Sequence, residues 1–249
     1  MRDLLSGKNA VITGTRRGIG RAAAEVFAAQ GANVWACARK FDDTFEEDMQ
    51  ALAEKYGVSI WPVYFDVTDE QGMKAAIHSI RQQKKNIDIL VNVAGLADES
   101  TSFQMTSLEK MKHIMEVNFF SATLLTQYVS RFMMRQNSGC IVNISSIAGI
   151  DGTPAQYEYA ASKAAVLGAT KNLARELSPY HIRVNAIAPG MIATSMGAQI
   201  KEELKQEILS KVVMKRMGEP EEIANVIAFV SSDLASYMTG QVIRVDGGM

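Results

Sequence analysis

The chain has 249 residues, which is enough for one large α/β domain or for two small ones. Its 26 basic and 27 acidic residues nearly cancel, which argues against a nucleic-acid partner or binding to an anionic membrane surface. The sequence shows no apolar run of membrane-spanning length and no signal-peptide segment, and its two cysteines lie in apolar runs, so a cytoplasmic location is expected.

Short apolar runs typical of buried strands alternate with segments of helical periodicity along the chain. The predicted strands are 8–13, 32–38, 58–65, 88–91, 140–145, 182–187 and 241–245. The predicted helices are 21–30, 43–56, 69–84, 107–136, 156–178 and 219–231, with one or two more in a substrate-covering segment at about 191–218. This alternation predicts one doubly wound, Rossmann-type α/β domain over residues 1–249, with about seven parallel strands in the order 3-2-1-4-5-6-7 and helices on both faces.

A glycine turn follows the first predicted strand. Gly14, Gly18 and Gly20 have the spacing G-x-x-x-G-x-G and open an alanine-rich helix. Glycines at such a turn let backbone N–H groups and a helix N-terminus approach a diphosphate, which side chains would hold away. A tight turn without a ligand is the alternative, but the position between strand and helix favours dinucleotide binding.

Glycines, a proline and several polar residues follow the carboxyl ends of the predicted strands, where ligands bind in open α/β sheets. In strand order they are Gly14, Arg39, Asp66, Asn92, Ser145 or Ser146, and Pro189-Gly190. We expect them to rim one cleft together with Tyr159 and Lys163. The histidines and cysteines show no metal-ligand spacing, so no metal site is predicted.

Tyr159 and Lys163 lie four residues apart, which places them on one face of a predicted helix. An ammonium beside a phenol favours the phenolate, so the pair predicts a lowered pKa for the Tyr159 hydroxyl. A tyrosine with such a pKa can exchange a proton with a substrate oxygen. A solvated surface pair is the alternative for this spacing alone.

In order and interval, these motifs resemble those of the short-chain dehydrogenase/reductase family from end to end. The motifs are Thr13-Gly14-x-x-x-Gly18-Ile19-Gly20, Asp66-Val67, Asn92-x-Ala94-Gly95, Asn118, Ser146, Tyr159-x-x-x-Lys163, Pro189-Gly190 and Val245-Asp246-Gly247-Gly248. Within the family, the chain is similar to the 3-oxoacyl-[acyl-carrier-protein] reductase-like group. The resemblance implies an NADP(H)-dependent oxidoreductase that reduces a partly apolar ketone to a secondary alcohol by hydride transfer.

The resemblance also implies four catalytic residues. Tyr159 would be the general acid for reduction or the base for oxidation, and Lys163 would lower its pKa and bind the nicotinamide ribose. Ser146 would hydrogen-bond the substrate oxygen, since its interval to Tyr159 suits the family better than that of Ser145. Asn118 would distort the long helix and hold a water of a proton relay; a helix–helix hydrogen bond is the alternative.

The resemblance further implies a set of cofactor-binding residues. They are Gly14, Arg16, Arg17, Gly18, Ile19, Gly20, Arg39, Asp66, Val67, Asn92, Ala94, Gly95, Tyr159, Lys163, Pro189, Gly190, Ile192 and Thr194. Asp66 would hydrogen-bond the adenine amino group, and Asn92 would brace the central strands. Val93 stands where the family usually has a second asparagine.

The choice of nicotinamide cofactor depends on the end of the second strand. Ala38 stands where NAD enzymes of the family usually carry aspartate, and Arg39 follows it. A guanidinium suits a phosphate because its fork donates two hydrogen bonds. We therefore expect NADP(H), with Arg39 and either Arg16 or Arg17 holding the 2′-phosphate; NAD(H) remains an alternative.

The substrate wall is expected to come from 94–100, 147–157 and 191–214. The residues expected to contact the substrate are Ser146, Ile147, Tyr159, Met191 and Met196. The substrate is either carried on acyl carrier protein or is a free ketone, sugar or steroid-like alcohol. Family members that use the carrier tend to have arginines where this chain has Asn137 and Tyr180.

Two further expectations concern assembly and a function of another class. Helices 107–136 and 156–178 are expected to form a homotetramer or homodimer, as is common in the family. The other class is a dinucleotide-binding sensor or scaffold without turnover. Such chains usually lose the tyrosine or the lysine, and this chain keeps both.

Overall fold

The computed structural model describes residues 3–98, 100–194, 206 and 209–249. Within these residues, seven strands form one parallel sheet in the order β3-β2-β1-β4-β5-β6-β7, which confirms the predicted fold and strand order. The strands are β1 Asn9–Thr13, β2 Asn33–Ala38, β3 Ile60–Tyr64, β4 Ile89–Asn92, β5 Gly139–Ile144, β6 Ile182–Pro189 and β7 Val242–Val245.

Helices cover both faces of the sheet. They are α1 Gly18–Ala29, α2 Asp43–Tyr56, α3 Glu70–Gln82, α4 Leu108–Met115, α5 Ser121–Gln136, α6 Ala148–Asp151, α7 Tyr157–Glu176 and α8 Pro220–Ser231. Within the described residues, no helix is both long and apolar enough to cross a membrane. Residues 195–205, 207 and 208 of the expected substrate-covering segment lie outside the described residues.

Apart from shifts of a few residues at the ends of elements, two predicted segments differ from the structure. The predicted helix 107–136 is divided into α4 and α5 by a π-helical turn, Glu116–Phe120. The inserted turn shifts the helical register without breaking the apolar pattern, so periodicity alone does not reveal it. The predicted loop after β5 contains α6, whose four residues are too few to show a helical period.

Capping side chains set the starts of α2 and α3, which lie on opposite faces of the sheet. The carboxylate of Asp42 accepts from Phe45 N at 3.1 Å at the start of α2. Asp69 caps α3, and its side chain accepts from Gln71 N at 3.0 Å. Such caps satisfy N–H groups that have no partner inside the helix.

The core lies on both faces of the sheet, because successive strand side chains point in opposite directions. In β1, Ile12 belongs to the apolar cluster under α1 and α8, whereas Val11 belongs to the cluster under α3 and α5. Both side chains are fully buried. Packing on both faces fixes the register of the strands, and so fixes which residues emerge at their carboxyl ends.

Candidate active site

Helix α7 carries Tyr159 and Lys163 and is fixed to the carboxyl end of β5. Lys163 Nζ donates to the carbonyl oxygen of Ile144 at 2.9 Å, and Ser145 Oγ donates to the carbonyl oxygen of Lys163 at 2.8 Å. These bonds hold the helix beside the residue after Ser145. The Ser146 side chain lies near enough to the Tyr159 hydroxyl to favour its ionised form, so the predicted substrate-oxygen ligand and proton donor are neighbours.

Burial controls the protonation of the pair on α7. Burial raises the pKa of the Tyr159 hydroxyl above its ordinary value, and the neighbouring Ser146 side chain only partly opposes this. Burial also lowers the pKa of Lys163 to about 8. The lysine ammonium lies 5.8 Å from the Tyr159 ring centroid, and a lowering of the tyrosine pKa by Lys163 stays a prediction.

Asn118 lies in the π-helical turn between α4 and α5 and bonds in two directions. Its Nδ2 donates to Ser162 Oγ at 2.9 Å, which is the helix–helix hydrogen bond considered as an alternative. Its amide also holds both backbone groups of Leu96, with Oδ1 accepting from the N–H at 2.7 Å and Nδ2 donating to the carbonyl at 2.9 Å. The helix is locally distorted, as the resemblance implied, and Asn118 joins three elements of the site.

Gly95, in the loop that follows β4, lies against Lys163 and Asn118. A Cβ atom built on Gly95 would lie 3.2 Å from Lys163 Nζ and 3.3 Å from Asn118 Oδ1. Both distances are tighter than ordinary van der Waals contact. Three predicted site residues from different elements therefore meet at one point.

Asn92 braces the central strands through a buried polar chain. Its Nδ2 donates to Asn143 Oδ1 at 2.8 Å on the neighbouring strand and to Thr126 Oγ1 at 3.0 Å on α5. Asn143 Nδ2 in turn donates to Thr170 Oγ1 at 2.9 Å on α7. The chain of bonds links α5, two strands and α7, and so keeps the catalytic helix in register with the sheet.

Thr13 holds the β4 end against the glycine turn, a role that the sequence reasoning missed. Its Oγ1 accepts from the backbone N–H groups of Val93 and Ala94, both at 3.0 Å. The neighbouring Gly14 has a φ of 70°, and a Cβ there would lie 3.1 Å from Ala94 Cα. The signal was the Thr-Gly pair itself, since a hydroxyl beside a close backbone approach can pair orphan N–H groups.

The glycine turn fits the diphosphate of a dinucleotide. A Cβ on Gly20 would lie 2.2 Å from the carbonyl oxygen of Gly14, so the turn closes only with glycine there. Arg17, at the N-cap of α1, makes no side-chain cap bond, and no acidic residue lies in the first helical turn. The first N–H groups and the positive end of the helix dipole therefore suit an anion. Ile19, the residue between the second and third glycines, packs against the core.

The three arginines near the turn differ in their partners. Arg16 pairs with the carboxylate of Asp42, which caps α2. Arg17 and Arg39 are exposed and have no ion pair within the described ranges. Of the two arginines in the turn that were considered as phosphate ligands, the structure thus leaves Arg17 better placed than Arg16 to act with Arg39.

Asp66 follows β3 and has one carboxylate oxygen engaged. Its Oδ1 accepts from Thr68 N at 2.9 Å and from Thr68 Oγ1 at 2.8 Å. These bonds, with a smaller electrostatic contribution from Arg39, lower the pKa of the Asp66 carboxyl. Asp66 is thus ionised at neutral pH and can accept a hydrogen bond, with the half-buried Val67 beside it.

The end of β6 lies against the end of β7 and the loop after β5. Gly190 N donates to Val245 O at 3.0 Å, and Ile147 N donates to Pro189 O at 3.1 Å. The two expected residues that follow, Met191 and Ile192, line a groove that also includes Met214, Gly218 and Val245. Beyond it, a Cβ on Gly18 would lie 3.2 Å from Thr194 Cγ2, so Thr194 adjoins the glycine turn. The expected substrate residue Met196 lies outside the described residues.

Comparison with known proteins places this geometry in a family. The family model described as enoyl-(acyl carrier protein) reductase matches residues 14–249. The chain is also 42% identical over 249 residues to the 3-oxoacyl-[acyl-carrier-protein] reductase FabG of Aquifex aeolicus, with 98% of each chain covered. The chain belongs to the short-chain dehydrogenase/reductase family. It is an NAD(P)-dependent oxidoreductase, as the sequence predicted.

Solved structures of similar sequence share this short-chain dehydrogenase/reductase fold. A 3-oxoacyl-[acyl-carrier protein] reductase with bound NAD from Brucella melitensis has a TM-score of 0.87 and 32% identity, covering 100% of this chain and 93% of that one. The L-sorbose reductase of Gluconobacter frateurii, complexed with NADPH and L-sorbose, has a TM-score of 0.91 and 34% identity, covering 99% and 98%. Among the described residues, no group of three or more His, Cys, Asp or Glu side chains could hold a metal ion.

Proposed function

We propose that this protein is an NADP(H)-dependent reductase of a 3-oxoacyl-type or similar partly apolar ketone, with Tyr159 as the general acid. The observation that carries the proposal is that Ser146 and Tyr159 are neighbours beside the buried Lys163, on the helix that is fixed to the end of β5. A carbonyl oxygen placed between the two hydroxyl groups would accept hydrogen bonds from both. These bonds strengthen as negative charge develops on the oxygen.

Tyr159 holds the proton that carbonyl reduction requires. A phenol whose pKa is raised by burial is protonated at neutral pH and can deliver its proton to the developing alkoxide. The bound nicotinamide would supply the hydride to the carbonyl carbon. Lys163 would then hold the nicotinamide ribose, and the amide of Asn118 keeps the loop after β4 closed over the lysine at Gly95.

The preference for NADP(H) rests on Arg39 and Arg17. Both guanidinium groups are exposed at the cleft edge formed by the ends of β1 and β2, and Ala38 leaves no acid to repel a 2′-phosphate. The pairing of Arg16 with Asp42 removes one acid from the neighbourhood by neutralising its charge. NAD(H) would lose only the phosphate contacts, so we expect it to be a weaker cofactor.

The relatives named above as 3-oxoacyl-[acyl-carrier-protein] reductases favour a substrate carried on acyl carrier protein. Asn137 and Tyr180 stand at the positions where family members that use the carrier tend to have arginines. Arg183 lies three residues after Tyr180, but its guanidinium donates within the chain to the carbonyl oxygens of Met238 and Ser232 at 3.2 and 3.1 Å. A small-molecule ketone or sugar is therefore the second candidate, and the likeness to L-sorbose reductase favours it.

We also propose a homotetramer or homodimer built through residues 107–136 and 156–178 of this single-domain chain. Large apolar side chains are exposed along these segments and the loop before them. They are Phe103, Met105, Leu108, Phe120 and Tyr157. Exposed apolar patches of this kind mark protein–protein contacts. The free cysteines Cys37 and Cys140 are buried, which suits the reducing cytoplasm that we propose as its location.

A substrate panel tests the proposal. A 3-oxoacyl thioester, a free aliphatic ketone and L-sorbose are each offered with NADPH and with NADH, and absorbance reports cofactor oxidation. We expect the thioester with NADPH to give the highest kcat/KM. A higher kcat/KM for the sugar would select the second candidate. Dinucleotide binding without turnover of any carbonyl or alcohol would instead indicate the sensor or scaffold.

A further inference from the structure

Helix α7 carries a stripe of buried residues that faces α4, the π-helical turn and the sheet. The stripe repeats every four residues and consists of Glu158, Ser162, Val166, Thr170 and Ala174. Four members are small or apolar and suit a helix interface. Glu158 is a charged residue that is only 4% exposed, and it directly precedes Tyr159.

Glu158 has an ion pair on one oxygen only. Lys110 Nζ on α4 lies 3.1 Å from Glu158 Oε1, with the two side chains 19% and 3% exposed. Glu158 Oε2 is buried and has no hydrogen-bond partner in the described part of the chain. A buried carboxylate with a partner on only one oxygen contributes little to stability, because the free-energy cost of removing the charge from water exceeds the gain from one ion pair. Its presence calls for another explanation.

Lys110 joins Glu158 to the loop that follows β4. The same Nζ donates to Thr101 Oγ1 at 3.0 Å. Thr101 N donates to the carbonyl oxygen of Ala155 at 2.8 Å, just before α7 begins. Two residues further along, the Phe103 ring packs edge-on against Tyr157, with ring centroids 4.9 Å apart. The far end of the loop is therefore held to the start of the catalytic helix, at residues that directly precede Tyr159.

The near end of this loop is held by the same helical segment that carries Lys110. Asn118 binds both backbone groups of Leu96, and Lys110 and Asn118 both face α7, where they contact Glu158 and Ser162. The loop between Leu96 and Thr101 thus has one anchor at each end. Both anchors reach α7 within one helical turn of each other.

We propose that Lys110 and Glu158 are positioning residues that hold the substrate-side loop after β4 against the start of α7 and so set the place of Tyr159 relative to the substrate. This inference rests on the proposed function. The ion pair contacts neither the glycine turn nor Arg39, so it acts on the carbonyl substrate and leaves cofactor binding unchanged. Burial of the Glu158 side chain strengthens the pair, because the attraction between charges is larger where less water surrounds them.

Kinetics of three variants test the inference. E158Q keeps the shape of the side chain without its charge, K110M removes the ammonium, and the double variant removes both. We expect each single variant to raise KM for the carbonyl substrate on the order of tenfold, because a small misplacement of reacting groups has a large effect on rate and binding. The Kd for NADPH should change by less than about twofold, since the phosphate ligands are untouched.

The double variant should be no worse than the worse single variant, because the two residues act as one unit. The matched control is the exposed i,i+4 pair Glu70–Lys74 on α3, at 2.7 Å with side chains 56% and 57% exposed. E70Q and K74M should leave both constants unchanged. If the wild type turns over substrate and E158Q and K110M have the same kinetic constants as the control variants, the inference is overturned. The proposed function would be unaffected by that result.

Hydrogen exchange gives a readout that does not depend on turnover. The Thr101 amide, which is bonded to Ala155, should exchange on the order of tenfold faster in E158Q than in the wild type, and at the wild-type rate in E70Q. Unchanged protection of Thr101 in E158Q would overturn the inference even in a protein that reduced no carbonyl. A wild type without turnover, but with faster Thr101 exchange in E158Q, would refute the proposed function alone.

Discussion

Lys163 Nζ donates to the carbonyl oxygen of Ile144 at 2.9 Å, and through this bond the catalytic helix is joined to the end of β5. The lysine is only 4% exposed. Because burial removes water from the ammonium, the pKa of Lys163 falls to about 8. The lysine therefore sits near its titration point at mildly alkaline pH, where its charge can respond to the cofactor and to Tyr159.

This pKa predicts a dependence of stability on pH. The unfolded chain keeps the lysine proton up to its ordinary pKa of 10.5, whereas the folded chain releases it near 8. The free energy of unfolding should therefore rise as pH increases from about 8 to about 10.5, by on the order of 3 kcal/mol from this group. Urea unfolding of the cofactor-free protein measures it.

The increase should be missing from Lys163→Met. Lys171 lies exposed on the same helix, so Lys171→Met is the control and should retain the increase. Identical pH profiles for the wild type and Lys163→Met would show that the lysine is not desolvated as the structure indicates.

The cofactor preference predicts an asymmetry between two neighbouring arginines. Arg39 has no ion pair among the described residues, whereas Arg16 is paired with Asp42. Arg39→Ala should raise KM for NADPH on the order of tenfold, the effect of losing a charged hydrogen bond, with little change for NADH. Arg16→Ala should change the two values far less. Equal effects of Arg39→Ala on both cofactors would mean that the 2′-phosphate binds elsewhere.

Alanine substitutions at Gly20 in the glycine turn and at Gly168 in α7 should have opposite effects on the free energy of unfolding. A Cβ at position 20 would lie 2.2 Å from the Gly14 carbonyl oxygen, so Gly20→Ala should lower the free energy of unfolding by about 1–3 kcal/mol and weaken dinucleotide binding. Gly168 in α7 has nothing within 4 Å of a built Cβ, so Gly168→Ala should raise stability by about 0.5–1 kcal/mol. Thermal unfolding with and without NADPH measures both. A Gly20→Ala protein that binds NADPH normally would exclude the turn as the diphosphate site.

The sequence was sufficient to predict the parallel sheet, because strands with apolar residues on both faces alternate regularly with amphipathic helices. It also identified the residues that meet at the cleft, since strand ends share one edge. The π-helical turn at Asn118 was accessible only through the family resemblance, because one extra residue per turn leaves the apolar pattern intact.

Contacts between distant side chains could not be predicted from the sequence. Nothing in the spacing of Lys110 and Glu158 joins them, and two adjacent arginines in a turn look alike until one meets Asp42. The effect of burial on the Tyr159 pKa could not be predicted either, because a helical spacing shows the neighbouring charge but not the loss of solvent.

The most direct test of the account is the single-turnover rate of carbonyl reduction by Tyr159→Phe with saturating NADPH. Tyr157→Phe is the matched control, since Tyr157 lies two residues away, is exposed and packs on Phe103. The account predicts that Tyr159→Phe loses on the order of 10²–10⁴ in rate, while its Kd for NADPH stays within about twofold of the wild type. Reduction by Tyr159→Phe at the rate of Tyr157→Phe would contradict it.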